Sequence, residues 1–273
     1  MPVRAVPESL DSGVVAEIDR RLHSVGSAHD VTILWAIESG SRAWGFPSPD
    51  SDYDCRFLFA RPADHYLSLW PDRDVIETPL DEIFDVNGWD LAKAVKLVAK
   101  GNATAIEWLR SPIIYEGSPT FRDDMLEFAE AVVERASIGR HYLHVAQQQK
   151  TGSPSLKRVF YVLRPVMALR WLRVHPSAVI PPMDLPTLLA ESDVERSVSD
   201  AITDLVAAKA ITRELGAGSA PPLLERFIEE ELRLGEQFDQ LPRERDAAHV
   251  RREADRFFRT QLTTRPDTPA QPR

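Results

Sequence analysis

Cysteine is nearly absent from this chain: Cys55 stands alone among 273 residues. One thiol cannot close an internal disulfide, so the fold must rest on its apolar core, as proteins of the reducing cytosol do. Long apolar runs are missing as well. No stretch approaches the roughly 20 continuous apolar residues that cross a bilayer. The opening Met1-Pro2-Val3-Arg4-Ala5-Val6-Pro7-Glu8 lacks the apolar core of a signal peptide. A cytoplasmic protein with no membrane partner is expected. Basic charge is in deficit: 33 Lys and Arg stand against 42 Asp and Glu, a net charge of −9. Binding along a nucleic-acid duplex depends on neutralising phosphates with basic surface, so no extended duplex binding is expected. Internal repeats and Cys/His spacing of the metal-ligand type are also missing. What the chain has in quantity is apolar mass, 43 % of its residues, over a length that suggests two units sharing a boundary.

The most informative segment is Ile37-Glu38-Ser39-Gly40-Ser41-Arg42-Ala43-Trp44-Gly45 followed by Ser51-Asp52-Tyr53-Asp54-Cys55-Arg56-Phe57-Leu58-Phe59. A Gly-Ser pair ends one apolar strand, and an Asp-x-Asp opens the next. Side chains alternate faces along a strand, so Asp52 and Asp54 project from one side. Paired carboxylates repel unless a cation lies between them, and hard oxygens suit Mg²⁺ shared with substrate phosphates, or Mn²⁺ in its place. Gly40 lets the backbone approach a ligand closely, while Ser41 and the amides after it can take a phosphate oxygen. Arg42 is placed either to reach a phosphate or as a plain surface arginine. Arg56 shares the strand face of Asp52 and Asp54 and is suited to neutralising excess carboxylate charge.

A third carboxylate follows. Ile83-Phe84-Asp85-Val86 is a short apolar run carrying one acid, closed by Asn87-Gly88, and reads as a strand entering a turn. If it pairs beside the strand of Asp54, three carboxylates converge, a set able to hold two Mg²⁺ ions. Asp85 would then also be the general base for an acceptor hydroxyl. Asp81 and Asp90 are rivals, and Asp90 is already explained by helix polarity at the head of Leu91–Val98.

The Gly-Ser, Asp-x-Asp and later isolated Asp resemble the signature of the DNA polymerase β-type nucleotidyltransferase superfamily. Wider wording is similar to one branch, the predicted nucleotidyltransferases often found beside RNA ligases. It comprises Ser39-Gly40-Ser41-Arg42-Ala43-Trp44-Gly45, Asp50-Ser51-Asp52-Tyr53-Asp54, Asn87-Gly88-Trp89-Asp90-Leu91, Glu107-Trp108-Leu109-Arg110-Ser111-Pro112, Leu156–Pro165 and Trp171. One departure is Cys55, where an aliphatic residue is expected. The resemblance implies an α+β polymerase β-like head with a mixed sheet, followed by an α-helical domain. It also implies transfer of a nucleoside monophosphate from an NTP with Mg²⁺. The acceptor stays open. An RNA end is slightly favoured, with a small molecule or a protein side chain (AMPylation) as alternatives. A non-catalytic, antitoxin-like nucleotide-binding partner is the alternative outside the enzymes.

Along the chain, a helix over about 12–25, strands at 31–37, 53–59, 75–78 and 83–86, and helices at 89–99 and 104–109 make up the expected head, residues 1–117. Ser118-Pro119 is a helix cap with proline at the first helical position. It opens a helical domain, 118–262, with helices over 121–134, 139–150, 154–172, 185–190 and 194–215. Ser192-Asp193-Val194-Glu195 reads as a capping box, and 263–273 as a disordered tail. On a 3.6-residue period, Lys157, Tyr161 and Arg164 share one stripe, either a solvated basic face or the far wall of a nucleotide cleft; the resemblance favours the cleft. Pro165 predicts a kink there. His141, His144 and Gln148 share a face but read as packing or surface residues, and Trp44 and Trp89 as packing residues.

Overall fold

Among the described residues five strands build the sheet: β1 (Thr32–Glu38), β2 (Tyr53–Ala60), β3 (Val75–Glu77), β4 (Phe84–Asp90) and β5 (Ile114–Gly117). They are seen in a computed structural model that describes residues 3–79, 81, 83–151, 155–212, 220–242 and 245–263. The strand order is β3-β4-β2-β1-β5. β2 and β4 run parallel, and the other neighbours are antiparallel. The sheet is therefore mixed and the architecture α+β. Its one parallel pair brings the beginnings of β2 and β4 to the same edge.

Each face of the sheet has its own cover. Cys55, Phe57 and Phe59 of β2, with Phe84 and Val86 of β4, pack with Ile18, Leu22 and Val25 of α1 (Ser12–His29). Burial of Cys55 pushes its thiol well above the usual range. The intervening residues, Asp54, Arg56 and Leu58 on β2 and Asp85, Asn87 and Trp89 on β4, point the other way by strand alternation. On that second face Leu58 and Ala60 join the larger core. α3 (Leu91–Ala99), α4 (Ala103–Arg110) and α5 (Pro119–Val132) cover it.

The helical half continues with α6 (Arg135–Lys150), α7 (Leu156–Val174), α8 (Leu185–Glu191), α9 (Arg196–Ile211), α10 (Pro222–Gly235), α11 (Gln237–Gln240) and α12 (Ala247–Thr263). One buried cluster runs from Leu34 and Leu58 of the sheet through Phe160, Leu163 and Met167 of α7 to Leu224 of α10 and Val250 of α12. A shared apolar core thus sets how the helices sit on the sheet. Among the described residues no helix is long and apolar enough to cross a membrane.

Several local expectations are corrected. Asn87-Gly88 is not a turn: β4 continues to Asp90, pairing Gly88 with Phe57, Trp89 with Leu58 and Asp90 with Phe59. A Cβ on Gly88 would run into the Phe57 ring, so this glycine marks a close approach inside the sheet. The helix expected from Trp89 starts at Leu91 for the same reason. The capping box does not form. Arg170 binds the carbonyls of Ser192 and Asp193, Asp193 turns back at φ 47°, and Glu195 caps α9 with no side-chain hydrogen bond. Residues 213–215 of the expected helix and most of the expected tail, 264–273, lie outside the described residues; Thr263 is still helical.

Candidate active site

At the start of the parallel pair, Asp54 stands in direct register with Asp85. Asp52 lies two residues before Asp54, exposed, just ahead of β2. The three predicted carboxylates therefore gather at one sheet edge. Gly40 opens the short helix α2 (Gly40–Ala43) at φ 59°, and a Cβ there would strike the Asp54 carboxylate. Only glycine allows both this backbone conformation and this approach. Arg56 binds both partners of the register, with Nη2 at 3.0 Å from Asp54 Oδ1 and 2.6 Å from Asp85 Oδ2. Asn87 Nδ2 donates to the other Asp85 oxygen.

Rival acids have other work. Asp90 caps α3 by accepting from Ala92 N at 2.7 Å and also accepts from Tyr66 Oη at 3.0 Å. Asp81 accepts from Phe84 N and pairs with Arg21. Burial pushes the Asp54 carboxyl above the usual carboxylate range; Arg56 opposes that rise, and the charges of Asp85 and Asp52 add to it. Among the described residues no three carboxylate, imidazole or thiolate side chains are gathered as a ready-made metal cage. The donor set fits one hard cation on Asp52 and Asp54: neither the Asp52 carboxylate nor Asp54 Oδ2 takes a hydrogen bond from the described residues, whereas both Asp85 oxygens do.

Other expected residues divide. Ser41 is buried, and its hydroxyl donates to Ser51 Oγ at 2.9 Å, which ties α2 to the loop before Asp52. Arg42 lies over the Tyr53 ring and donates to the Ser51 and Asp52 carbonyls at 2.6 and 3.1 Å; in this structure it clamps the loop. Tyr161 lies near the carboxylates: burial raises its hydroxyl, and the charges of Asp54 and Asp52 add to the shift. It meets Trp44 edge-on at 5.6 Å. Lys157 is exposed, one turn earlier on α7.

Arg164 is the correction. It is 4 % exposed, pairs with Glu107 of α4 and donates to Met183 O at 3.0 and 3.1 Å. Tyr142 Oη donates to the same Glu107 carboxylate at 2.7 Å. Helical spacing aligned Arg164 with Tyr161, but the residues on either side of it are core, so that end of the stripe turns inward and needs a buried counter-charge. His141 is half-buried against Tyr142, and His144 and Gln148 are exposed.

Two further residues stand out in the structure. Glu38, the buried last residue of β1, accepts from Asp54 N at 3.0 Å and from Tyr115 Oη at 2.6 Å. Burial raises its carboxyl to about 7, opposed by those two hydrogen bonds. Lys209 of α9 donates to Phe46 O at 2.7 Å and lies against the Phe46 and Phe160 rings. Burial, with the nearby Lys157 charge, lowers its ammonium to about 8 against the pull of Asp50. Its signal was present in sequence, a lysine seven residues after Ile202 on the apolar face of α9.

The chain matches the RNA repair pathway DNA polymerase beta family over residues 14–260. It is similar to the uncharacterized protein YcgL of Bacillus subtilis (strain 168), 36 % identical over 217 residues, which are 77 % of this chain and 82 % of the relative. A solved nucleotidyltransferase-like protein from Exiguobacterium sibiricum 255-15 aligns over 91 % of this chain and 80 % of its own at 12 % identity and a TM-score of 0.30, a likeness too low to bear on the site. With the Gly-Ser element, the Asp-x-Asp strand and the in-register third Asp, the match over residues 14–260 has one meaning: this chain belongs to the RNA repair pathway DNA polymerase beta family, of nucleotidyltransferase type.

Proposed function

We propose that this protein transfers a nucleoside monophosphate from an NTP to an acceptor hydroxyl, releasing pyrophosphate, in a cytosolic setting. The observation that carries this reading is the parallel register of Asp54 and Asp85, with Asp52 two residues before Asp54 and Tyr161 near both. Asp52 and Asp54 would hold Mg²⁺, or Mn²⁺ in its place, which when bound supplies positive charge to the phosphate oxygens. Gly40 and Ser41 bring backbone close to the phosphates, and Tyr161 offers a ring face to the base. Lys157 offers charge to the phosphate tail. Asp85 keeps lone pairs beyond those taken by Arg56 and Asn87 and takes the proton of the attacking hydroxyl. Glu38 holds the β2 backbone at Asp54 through its amide.

An RNA end is the favoured acceptor. The family's description points to RNA repair; the net charge of −9 weighs the other way and speaks for a single chain end over a duplex track. The test is incubation with each α-labelled NTP, Mg²⁺ and a mixed pool of cellular RNA, protein and metabolites. Label is expected in the RNA fraction. Label in protein or small molecules would assign those acceptors, and label in no fraction would refute transfer.

A further inference from the structure

Arg56 fills one side of the carboxylate cluster. Its Nη2 donates to Asp54 Oδ1 and Asp85 Oδ2, and its Nη1 donates to Asp85 O at 2.7 Å and Cys55 O at 3.2 Å. Four acceptors from three residues hold the guanidinium in the gap between the two strands, where a cation would have to sit to touch both carboxylates. Arginine does not deprotonate in proteins, so this gap carries a permanent positive charge. A divalent ion brought into the same gap would meet that charge at a few ångströms in a partly buried setting, where screening is weak. The remaining Asp85 oxygen is taken by Asn87, on the same face of β4 two residues on. On the other side of Asp54 the picture reverses: Oδ2 lies against Gly40 and, like the Asp52 carboxylate, takes no hydrogen bond from the described residues.

We propose that this site takes one divalent cation per bound nucleotide, on Asp52 and Asp54, and that Arg56 replaces a second cation in holding Asp85 in place. This rests on the nucleotidyl-transfer reading above and narrows it. Asp85 then acts as a positioned carboxylate and not as a metal ligand.

The test is equilibrium dialysis of the full chain against Mn²⁺ and an α,β-methylene nucleoside triphosphate, counting both the metal and the nucleotide retained. One Mn²⁺ per nucleotide is expected for the wild type and for Arg56→Lys, which keeps the charge. Two are expected for Arg56→Gln, which vacates the gap. A wild-type ratio of two overturns the single-cation site while leaving nucleotidyl transfer intact. A ratio of one in folded Arg56→Gln overturns the role given to Arg56. Nucleotide retention that is nil, or unchanged by EDTA, defeats the transfer reading itself. Should Arg56→Gln fail to fold, the wild-type and Arg56→Lys ratios still decide the count.

Discussion

Asp54 is held on three sides, by the Gly40 backbone, by Arg56 and through its own amide by Glu38. Those contacts fix where its carboxylate points, yet its charge is a burden to the apo fold, since burial and two like charges all push its carboxyl up. Asp52→Asn and Asp54→Asn are therefore expected to abolish nucleotide transfer with the melting temperature unchanged or raised; a Tm loss like that of a core mutant, with activity kept, would make the pair structural. Arg164 and Lys157 give the converse comparison. Arg164→Ala strands Glu107 in the core, and breaking a buried ion pair on one side costs about 3–5 kcal/mol, readable in the urea midpoint. Lys157→Ala is expected to move stability by no more than about 0.5 kcal/mol, as surface changes do. It should weaken NTP affinity roughly ten- to a hundredfold by removing a charge-assisted contact, as measured by isothermal titration. Of these residues, Asp52, Asp54, Asp85 and Gly40 could be read from type and spacing, because each sits beside a strand or turn signal. Arg164 could not: whether a helix position faces a cleft or a core depends on what packs against it, and its partner Glu107 lies 57 residues earlier.

At the scale of elements, the parallel pairing of β2 and β4 does most for the site. An antiparallel partner would bring Asp85 to the far end of the sheet; the parallel register sets it beside Asp54. The loop between α2 and β2 is tied down by several elements. Arg42 and Ser41 hold its later part, Leu185 N of α8 donates to Trp44 O at 2.9 Å, and Lys209 of α9 donates to Phe46 O. This last contact carries a pH signature. Folded, the Lys209 ammonium titrates near 8; unfolded, it returns to its ordinary 10.5. Between those values the unfolded chain holds the proton and the folded chain does not, so stability rises with pH across the window. Below pH 8 the cost of burying the charge is present in full. Urea unfolding of wild type and Lys209→Met at pH 7.5 and 9.5 should show the wild type gaining relative to the variant at the higher pH. Lys157 and Asp50 are the charges that face this ammonium, so a gain that disappears in Lys157→Ala would trace the shift to its neighbour instead of to burial.

At the scale of the whole molecule, one buried core runs from the sheet that carries the carboxylates into α7, the helix that carries Lys157 and Tyr161. A nucleotide held at the carboxylates, as proposed above, would bind the folded chain and not the unfolded one, and so raise Tm by mass action. With ATP or another preferred NTP, a thermal shift is expected in Mg²⁺ that largely vanishes in EDTA; equal shifts in both would count against a cation-bridged triphosphate. The sequence by itself determined the strand faces, the Asp-x-Asp edge, the glycine that approaches it and the mainly helical character of the described residues past Ser118. Each of these is written within a few residues, in a period of 2 or 3.6 or in a turn signal. Only the tertiary structure decided that Asp85 stands in register with Asp54, that Arg56 fills the gap between them, that Gly88 belongs to a strand and not a turn, and that Arg164 turns inward. Those outcomes depend on which distant segments pack together, and that choice is made by burying apolar surface over the whole chain, where no local period records it.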